Sequence, residues 1–201
     1  IIAVGGYNEM GKNMTGIRID NDIIVLDMGL QLDRVQIHED VEIDKMHSMD
    51  LIKMGAIPDD TVMNEVGGKV KAIVCTHGHL DHIGAIPKLA HRYKAPIIAT
   101  PYTAELVRHE ISDEKKFKVN NEVIPLKLGG TYNLTPDIQI EFIRMQHSIV
   151  DTAFAAIHTP EGIVLYASDF KLDRTPTIGL PPDFQRLKKL GNEGVRAMIT
   201  E

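Results

Sequence analysis

His77-Gly78-His79-Leu80-Asp81-His82 decides the reading of this chain, and the apolar run Val70–Cys75 leads directly into it. Three imidazoles and one carboxylate fall within six residues. Metal sites are built from neutral imidazole nitrogens and carboxylate oxygens held at fixed spacing. A loop at the end of a buried strand supplies that rigidity, and Gly78 lets His77 and His79 turn toward one point. Asp81 and His82 stand where a helix is expected, because Ile83, Ile86, Leu89, Ala90 and Tyr93 recur at helical spacing. The stretch therefore predicts metal-dependent hydrolysis at a strand-to-helix junction, a common place for sites in α/β folds.

Further polar groups end apolar runs elsewhere. Asp27 follows Ile23–Leu26, His147 follows the alternating run Ile138–Ile143, and Asp169 follows Ile163–Ala167. Asp alone is common where strands stop. Three such ends beside one His-rich loop predict convergence on one edge of the sheets.

Short strand-like runs recur at Ile1–Val4, Thr15–Ile19, Ile23–Leu26, Val70–Cys75, Ile97–Ala99, Ile138–Ile143, Thr152–His158, Ile163–Ala167 and Val195–Thr200. Helices are expected at Ile83–Tyr93, Thr103–Ser112 and Phe184–Leu190, with Thr100-Pro101 opening the second. A short helix is expected near Met49–Met54. Strands come first in pairs and then alternate with helices. That order predicts an α/β chain of two mixed β-sheets faced by helices rather than a doubly wound parallel sheet. The Gly5-Gly6 turn lacks the spacing of either nucleotide-binding fingerprint.

Composition sets bounds. The 201 residues suffice for one core. The single cysteine excludes an internal disulfide and fits a reducing compartment, and Cys75 is expected to pack rather than react. No run approaches the ~18 apolar residues of a membrane span, and no signal peptide is visible. The net charge is −6, and Gln31–Glu65 carries all of it, with nine acidic and three basic residues. This acidic segment reads as an insert or lid at about 31–66. The remainder is neutral, with basic groups at Lys115-Lys116-Lys118 and Arg186-Lys188-Lys189, so a polyanionic substrate is compatible with the charge. A start without Met and an end directly after a strand-like run predict a piece of a longer protein.

The pattern His77-x-His79-x-Asp81-His82, His147 and Asp169, with Asp27 ahead of them, resembles the metallo-β-lactamase superfamily. Gly5-Gly6-x-x-Glu9-x-Gly11-Lys12-Asn13, His147-Ser148-Ile149-x-Asp151 and Asp169-Phe170-Lys171-x-Asp173-x-Thr175-Pro176 are similar to the ribonuclease J family, in the β-CASP branch that processes nucleic acids. The resemblance covers essentially the whole chain.

It implies an αββα sandwich of which residues 1–201 are the N-terminal part, with the β-CASP segment beginning near 201. His77, His79 and His147 would hold a first Zn²⁺, Asp81 and His82 a second, and Asp169 both. Asp27 would orient a ligand histidine through its ring N–H. Asp81 would also orient the attacking hydroxide, and Glu201 matches the acidic residue that opens the β-CASP segment. The last ligand of the second zinc and a β-CASP histidine would lie beyond Glu201, so this piece alone is expected to favour one zinc over two and to be nearly inactive. Ser168 stands where the family often has Gly.

The implied reaction is hydrolysis of RNA phosphodiester bonds by a water whose pKa two zinc ions lower toward about 7, mainly as a 5′-to-3′ exonuclease. Endonuclease action of the mRNA 3′-end-processing type is the nearest alternative, and a glyoxalase II-like small-molecule hydrolase a more distant one. The expected partner is single-stranded, 5′-monophosphorylated RNA in the cytoplasm, with a homodimer of the full-length protein. Mn²⁺ suits the same donors. The other histidines are expected to be structural: His38 and His47 at the surface of the acidic segment, His91 and His109 on helices, and His158 at a strand end, the one among them nearest a substrate role.

Overall fold

The computed structural model describes residues 1–36 and 45–200. Two β-sheets lie face to face. The first joins β1 (Ile2–Gly5), β2 (Met14–Ile19), β3 (Asp22–Leu26), β4 (Lys69–Cys75), β5 (Ile97–Ala99) and β6 (Val123–Pro125) in that order. β1 to β3 run antiparallel, and β3 to β6 run parallel. The second joins β7 (Thr131–Asn133), β8 (Gln139–Arg144), β9 (Ala153–Thr159), β10 (Gly162–Ala167) and β11 (Val195–Thr200), with β11 parallel to β10 and the other neighbours antiparallel. Both sheets are thus mixed. The short strands β6 and β7 escape the sequence reading, since three residues carry no periodicity.

The alternation of side chains along each strand builds four layers. On β3 and β4, Ile24, Leu26, Ala72 and Val74 face the second sheet and meet Ile140, Phe142, Ala155 and Ile157. Ile23, Val25, Ile73 and Cys75 face the other way, against Ile83, Ile86, Leu89, Ala104 and Val107. On the far side, Phe154, Ala156 and Leu165 pack under Leu190 of the amphipathic helix at 184–194. Strands covered on both faces read as continuous apolar runs, which is why β4 stands out in the sequence.

The helices are α1 (Leu32–Gln36), α2 (Ser48–Lys53), α3 (Val62–Val66), α4 (Leu80–Ile83), α5 (Ile86–Leu89), α6 (Pro101–Asp113) and α7 (Phe184–Gly194). The expected single helix over Ile83–Tyr93 is broken into α4, α5 and a 3-10 turn at Ala90–Arg92. The reason is local. The Ala85 N–H donates to Met28 O at 2.9 Å instead of into a helix, and Pro87 in the first turn of α5 has no N–H to give. The acidic segment does not swing free as a lid where it is described: Leu51, Ala56, Ile57 and Met63 belong to the core against the first sheet. Buried Asp60 ties it further, through Arg92 and through the Tyr93 hydroxyl at 2.6 Å. No helix among the described residues is long and apolar enough to cross a membrane.

Candidate metal centre

Four strand ends supply the site. β4 ends at Cys75 and continues into buried Thr76 and His77. His79 stands at the N-terminus of α4, which carries Asp81 and His82. His147 follows β8, and Asp169 follows β10. Asp27 follows β3, takes a left-handed backbone (φ 57°) and is fully buried. Asp tolerates that conformation better than most residues, and it turns the carboxylate beneath the end of β4.

The turn at 80–82 is held by backbone pairing with two segments. Met28 N–H donates to His82 O at 2.7 Å, Leu30 N–H to Leu80 O at 2.9 Å, and Asn13 N–H to Asp81 O at 3.0 Å. Gly29 sits inside this pairing so closely that a Cβ would lie 1.6 Å from Asp81 O. Asn13 is buried and brings its Nδ2 to 3.1 Å from His82 Nε2.

Two donor groups result, and they share Asp169. The first is His77, His79, His147 and Asp169; the second is Asp81, His82 and Asp169. His79 Nδ1 lies 3.1 Å from His77 Nε2 and 3.2 Å from His147 Nε2. His147 Nε2 is 3.1 Å from Asp169 Oδ2, and His82 Nε2 is 3.6 Å from Asp81 Oδ2 and 3.9 Å from Asp169 Oδ2. Behind them, Asp27 Oδ2 lies 2.8 Å from His82 Nδ1, and Asp27 also accepts from Thr76.

Electrostatics favour the neutral, metal-binding form of two of the rings. Burial pushes His77 far below the ordinary histidine range, and the neighbouring His82, His79 and His147 push it the same way. Burial also lowers His147, against the opposing pull of Asp169. Neutral imidazoles with carboxylates, grouped four and three around a shared oxygen donor, fit divalent cations that accept mixed N/O ligands. A cleft of about 550 Å³ opens beside His147 and Ser148 and is lined in part by Arg144 and Lys171.

The structure thus brings together Asp27, His77, His79, Asp81, His82, His147 and Asp169. Glu201 and His38 lie outside the described residues. Sequence reasoning gave no role to Thr76 or Gly29, which contact the centre; their signal was only adjacency to the motif. His158 takes the structural role expected of it: it donates to Glu141 Oε2 over 2.8 Å at the far end of β9, away from the centre. Cys75 is fully buried, and burial raises its thiol well above the usual range, as a packing residue requires.

The comparisons with known proteins agree with this geometry. Residues 58–180 match the family described as the beta-lactamase superfamily domain. Over all 201 residues the chain is 57% identical to ribonuclease J of Methanocaldococcus jannaschii, covering 45% of that protein. It is 48% identical to ribonuclease J of Pyrococcus abyssi, again over the whole chain and 44% of the relative. The chain therefore spans less than half the length of these curated relatives. Among solved structures, the Rm3 metallo-beta-lactamase superposes with a TM-score of 0.58 at 16% identity, covering 99% of this chain and 76% of that one. The fold, the paired donor groups and the match over 58–180 lead to one assignment: this chain belongs to the beta-lactamase superfamily.

Proposed function

We propose that the chain carries the metal centre of a ribonuclease that hydrolyses RNA phosphodiester bonds, mainly from the 5′ end. One observation carries the reading: two N/O donor groups joined by Asp169, with His147 of the first also lining a cleft, in a chain similar over its full length to proteins named ribonuclease J. His77, His79 and His147 would hold the first ion, Asp81 and His82 the second, and Asp169 would bind both. Zn²⁺ is the preferred ion, since histidine-rich donor sets suit it, and Mn²⁺ is the alternative. When bound, such a pair of ions activates water and neutralises charge on phosphoryl oxygens.

The chain's own groups do the rest. Asp27 accepts the His82 Nδ1–H and holds that ring in one orientation. Asp81 is a third exposed beside His82, placed to accept a proton from an attacking water. Arg144 and Lys171 line the cleft as cations that would meet a phosphate, beside the acids Asp151 and Asp173, of which Asp173 pairs with Lys171 at 3.3 Å. Glu201 would act from the start of a β-CASP segment, with 1–201 the N-terminal part of the metallo-β-lactamase domain and 31–66 its acidic insert. The same reading places the protein in the cytoplasm, as a homodimer acting on 5′-monophosphorylated single strands.

The test gives 5′-labelled, 5′-monophosphorylated single-stranded RNA to this chain and to a version carried to the end of its reading frame, each beside an Asp81→Ala control. Labelled mononucleotide from the longer version, appearing first and absent in its control, is the expected result, with this chain alone nearly inactive. Discrete longer labelled fragments would make it an endonuclease. RNA left intact by the metal-loaded longer version would sink the ribonuclease reading in favour of a small-molecule hydrolase.

A further inference from the structure

Thr76 is fully buried between β4 and His77, and four segments meet on it. Its N–H donates to Asp27 Oδ1 at 2.8 Å, and its carbonyl accepts from the Ala153 N–H at 3.0 Å, which ties the two sheets together at the site. Its Oγ1 lies 2.9 Å from Asp27 Oδ2 and 3.1 Å from Oδ1. The same atom lies 2.9 Å from the buried Ser168 Oγ and 3.1 Å from His77 Nδ1.

The directions of these bonds follow by counting. A hydroxyl has one proton and two lone pairs, and a carboxylate only accepts. The Thr76 proton therefore goes to Asp27. Ser168 must then donate to Thr76, and so must His77. That requires the His77 proton to sit on Nδ1, which leaves Nε2 with a free lone pair. Nε2 is the atom that faces His79 Nδ1 at 3.1 Å within the first donor group. Asp27 acts on His82 without an intermediary, accepting from its Nδ1 at 2.8 Å and leaving its Nε2 to face the Asn13 amide at 3.1 Å and, farther off, Asp81 and Asp169.

We propose that Thr76 is a positioning residue through which one carboxylate, Asp27, sets the tautomer of a histidine in each donor group, His82 directly and His77 by way of the Thr76 hydroxyl. A neutral imidazole otherwise exchanges its proton between both nitrogens, and with the proton on Nε2 it offers no lone pair to the group. The lock is in place before an ion arrives. Ser168 fills the last lone pair of Thr76 and so ties the segment next to Asp169 to the same knot, without setting either ring. The effect on metal affinity rests on the metal reading above; the tautomers do not.

The test is ring ¹⁵N NMR on metal-free protein labelled at histidine, at neutral pH, followed by zinc titration. In the unsubstituted chain, His77 and His82 should both show the Nδ1–H form. Thr76→Val keeps the volume close and retains the backbone bond to Asp27. It should turn His77 into a tautomer mixture, leave His82 as it was, and weaken the first zinc about tenfold, the low end for loss of a group that orients a ligand. Thr76→Ser should restore both readouts, and Ser168→Ala should leave both tautomers in place. A His77 ring carrying its proton on Nε2 in the unsubstituted chain overturns the proposal without need of any variant. So does a Thr76→Val spectrum in which His77 is unmoved. Correct tautomers in a chain that binds no zinc would sink the metal reading and leave the Thr76 assignment standing.

Discussion

Two clusters of histidine and carboxylate lie at opposite ends of β9, and they differ in what their polar atoms face. At the His158 end, every strong acceptor meets a donor. Arg186 gives Nε to Glu141 Oε1 at 2.5 Å and Nη2 to Oε2 at 2.8 Å, and its Nη1 reaches Glu193 Oε1 at 2.9 Å. His158 Nε2 completes the set at 2.8 Å from Glu141. At the Ala153 end, acceptors lie behind two of the rings, the Thr76 hydroxyl behind His77 and Asp27 behind His82, while the other nitrogens of His77, His79, His82 and His147 turn toward one another and toward two carboxylates, with the Asn13 amide beside His82 Nε2. The first cluster balances its own charge and pins α7 to the second sheet. The second gathers acceptors, and a divalent ion is what satisfies such a gathering. Residue types alone do not separate the two; the direction of the lone pairs does.

The most forceful way to test that contrast is to remove the shared donor. Asp169→Ala takes one oxygen from both groups at once, so zinc affinity should fall more than about 100-fold, beyond the range for groups that merely orient ligands. Calorimetric titration would read it, and an unchanged first affinity would show that Asp169 is not shared. Removing a donor from the group of three should always cost more occupancy than removing one from the group of four. The next effect is steric. Gly29→Ala places a methyl against Asp81 O, where a Cβ would lie 1.6 Å away, and forces the 80–82 turn outward. A loss of about 3 kcal/mol in urea unfolding is expected, at the upper end for overpacking, together with weaker metal binding. Full stability would mean that the turn is free to move.

How much of this was legible in the sequence follows from the physics of each part. β4 and the loop after it are read at once, because a strand buried on both faces is almost wholly apolar, with Lys71 the one break in Val70–Cys75, and the motif after it has no other common explanation. Asp27, His147 and Asp169 are legible as the polar ends of apolar runs. The break at Ala85 is not, since it depends on a bond to Met28, more than fifty residues earlier in the chain. Nor is the role of Thr76, because a threonine after a strand is ordinary until Asp27, His77 and Ser168 are seen around it. His158 reads as structural, but its partner is hidden for the same reason: only the fold shows that Arg186 has drawn Glu141 and His158 into its own balance. The packing of Leu51, Ile57 and Met63 into the core is likewise hidden by the acidic composition around them.

The balanced cluster yields smaller effects, and they should leave the metal centre alone. Burial raises the Glu141 carboxyl, but hydrogen bonds from Arg186 and His158 outweigh it and hold the group below the ordinary glutamate range. A carboxyl lowered on folding contributes stability above its unfolded pKa, near 4.3, and that contribution is lost as pH falls through the lower folded value. Glu141→Gln should therefore cost about 2 kcal/mol at pH 7, within the range for hydrogen bonds to charged groups, and the difference from the unsubstituted chain should shrink below about pH 4. A difference that stays constant down to pH 3 would mean that the charge of Glu141 contributes nothing.

His158→Ala is the mildest case and the sharpest control. It removes one contact to a carboxylate that keeps both bonds from Arg186, so about 1 kcal/mol or less is expected. Zinc stoichiometry and affinity should not move, because His158 sits at the other end of β9 from Thr76 and Ala153. A His158→Ala chain that lost zinc would show that the balanced end and the gathering end are one network, carried along the strand between them. The contrast between the two clusters would then be one of degree rather than of kind.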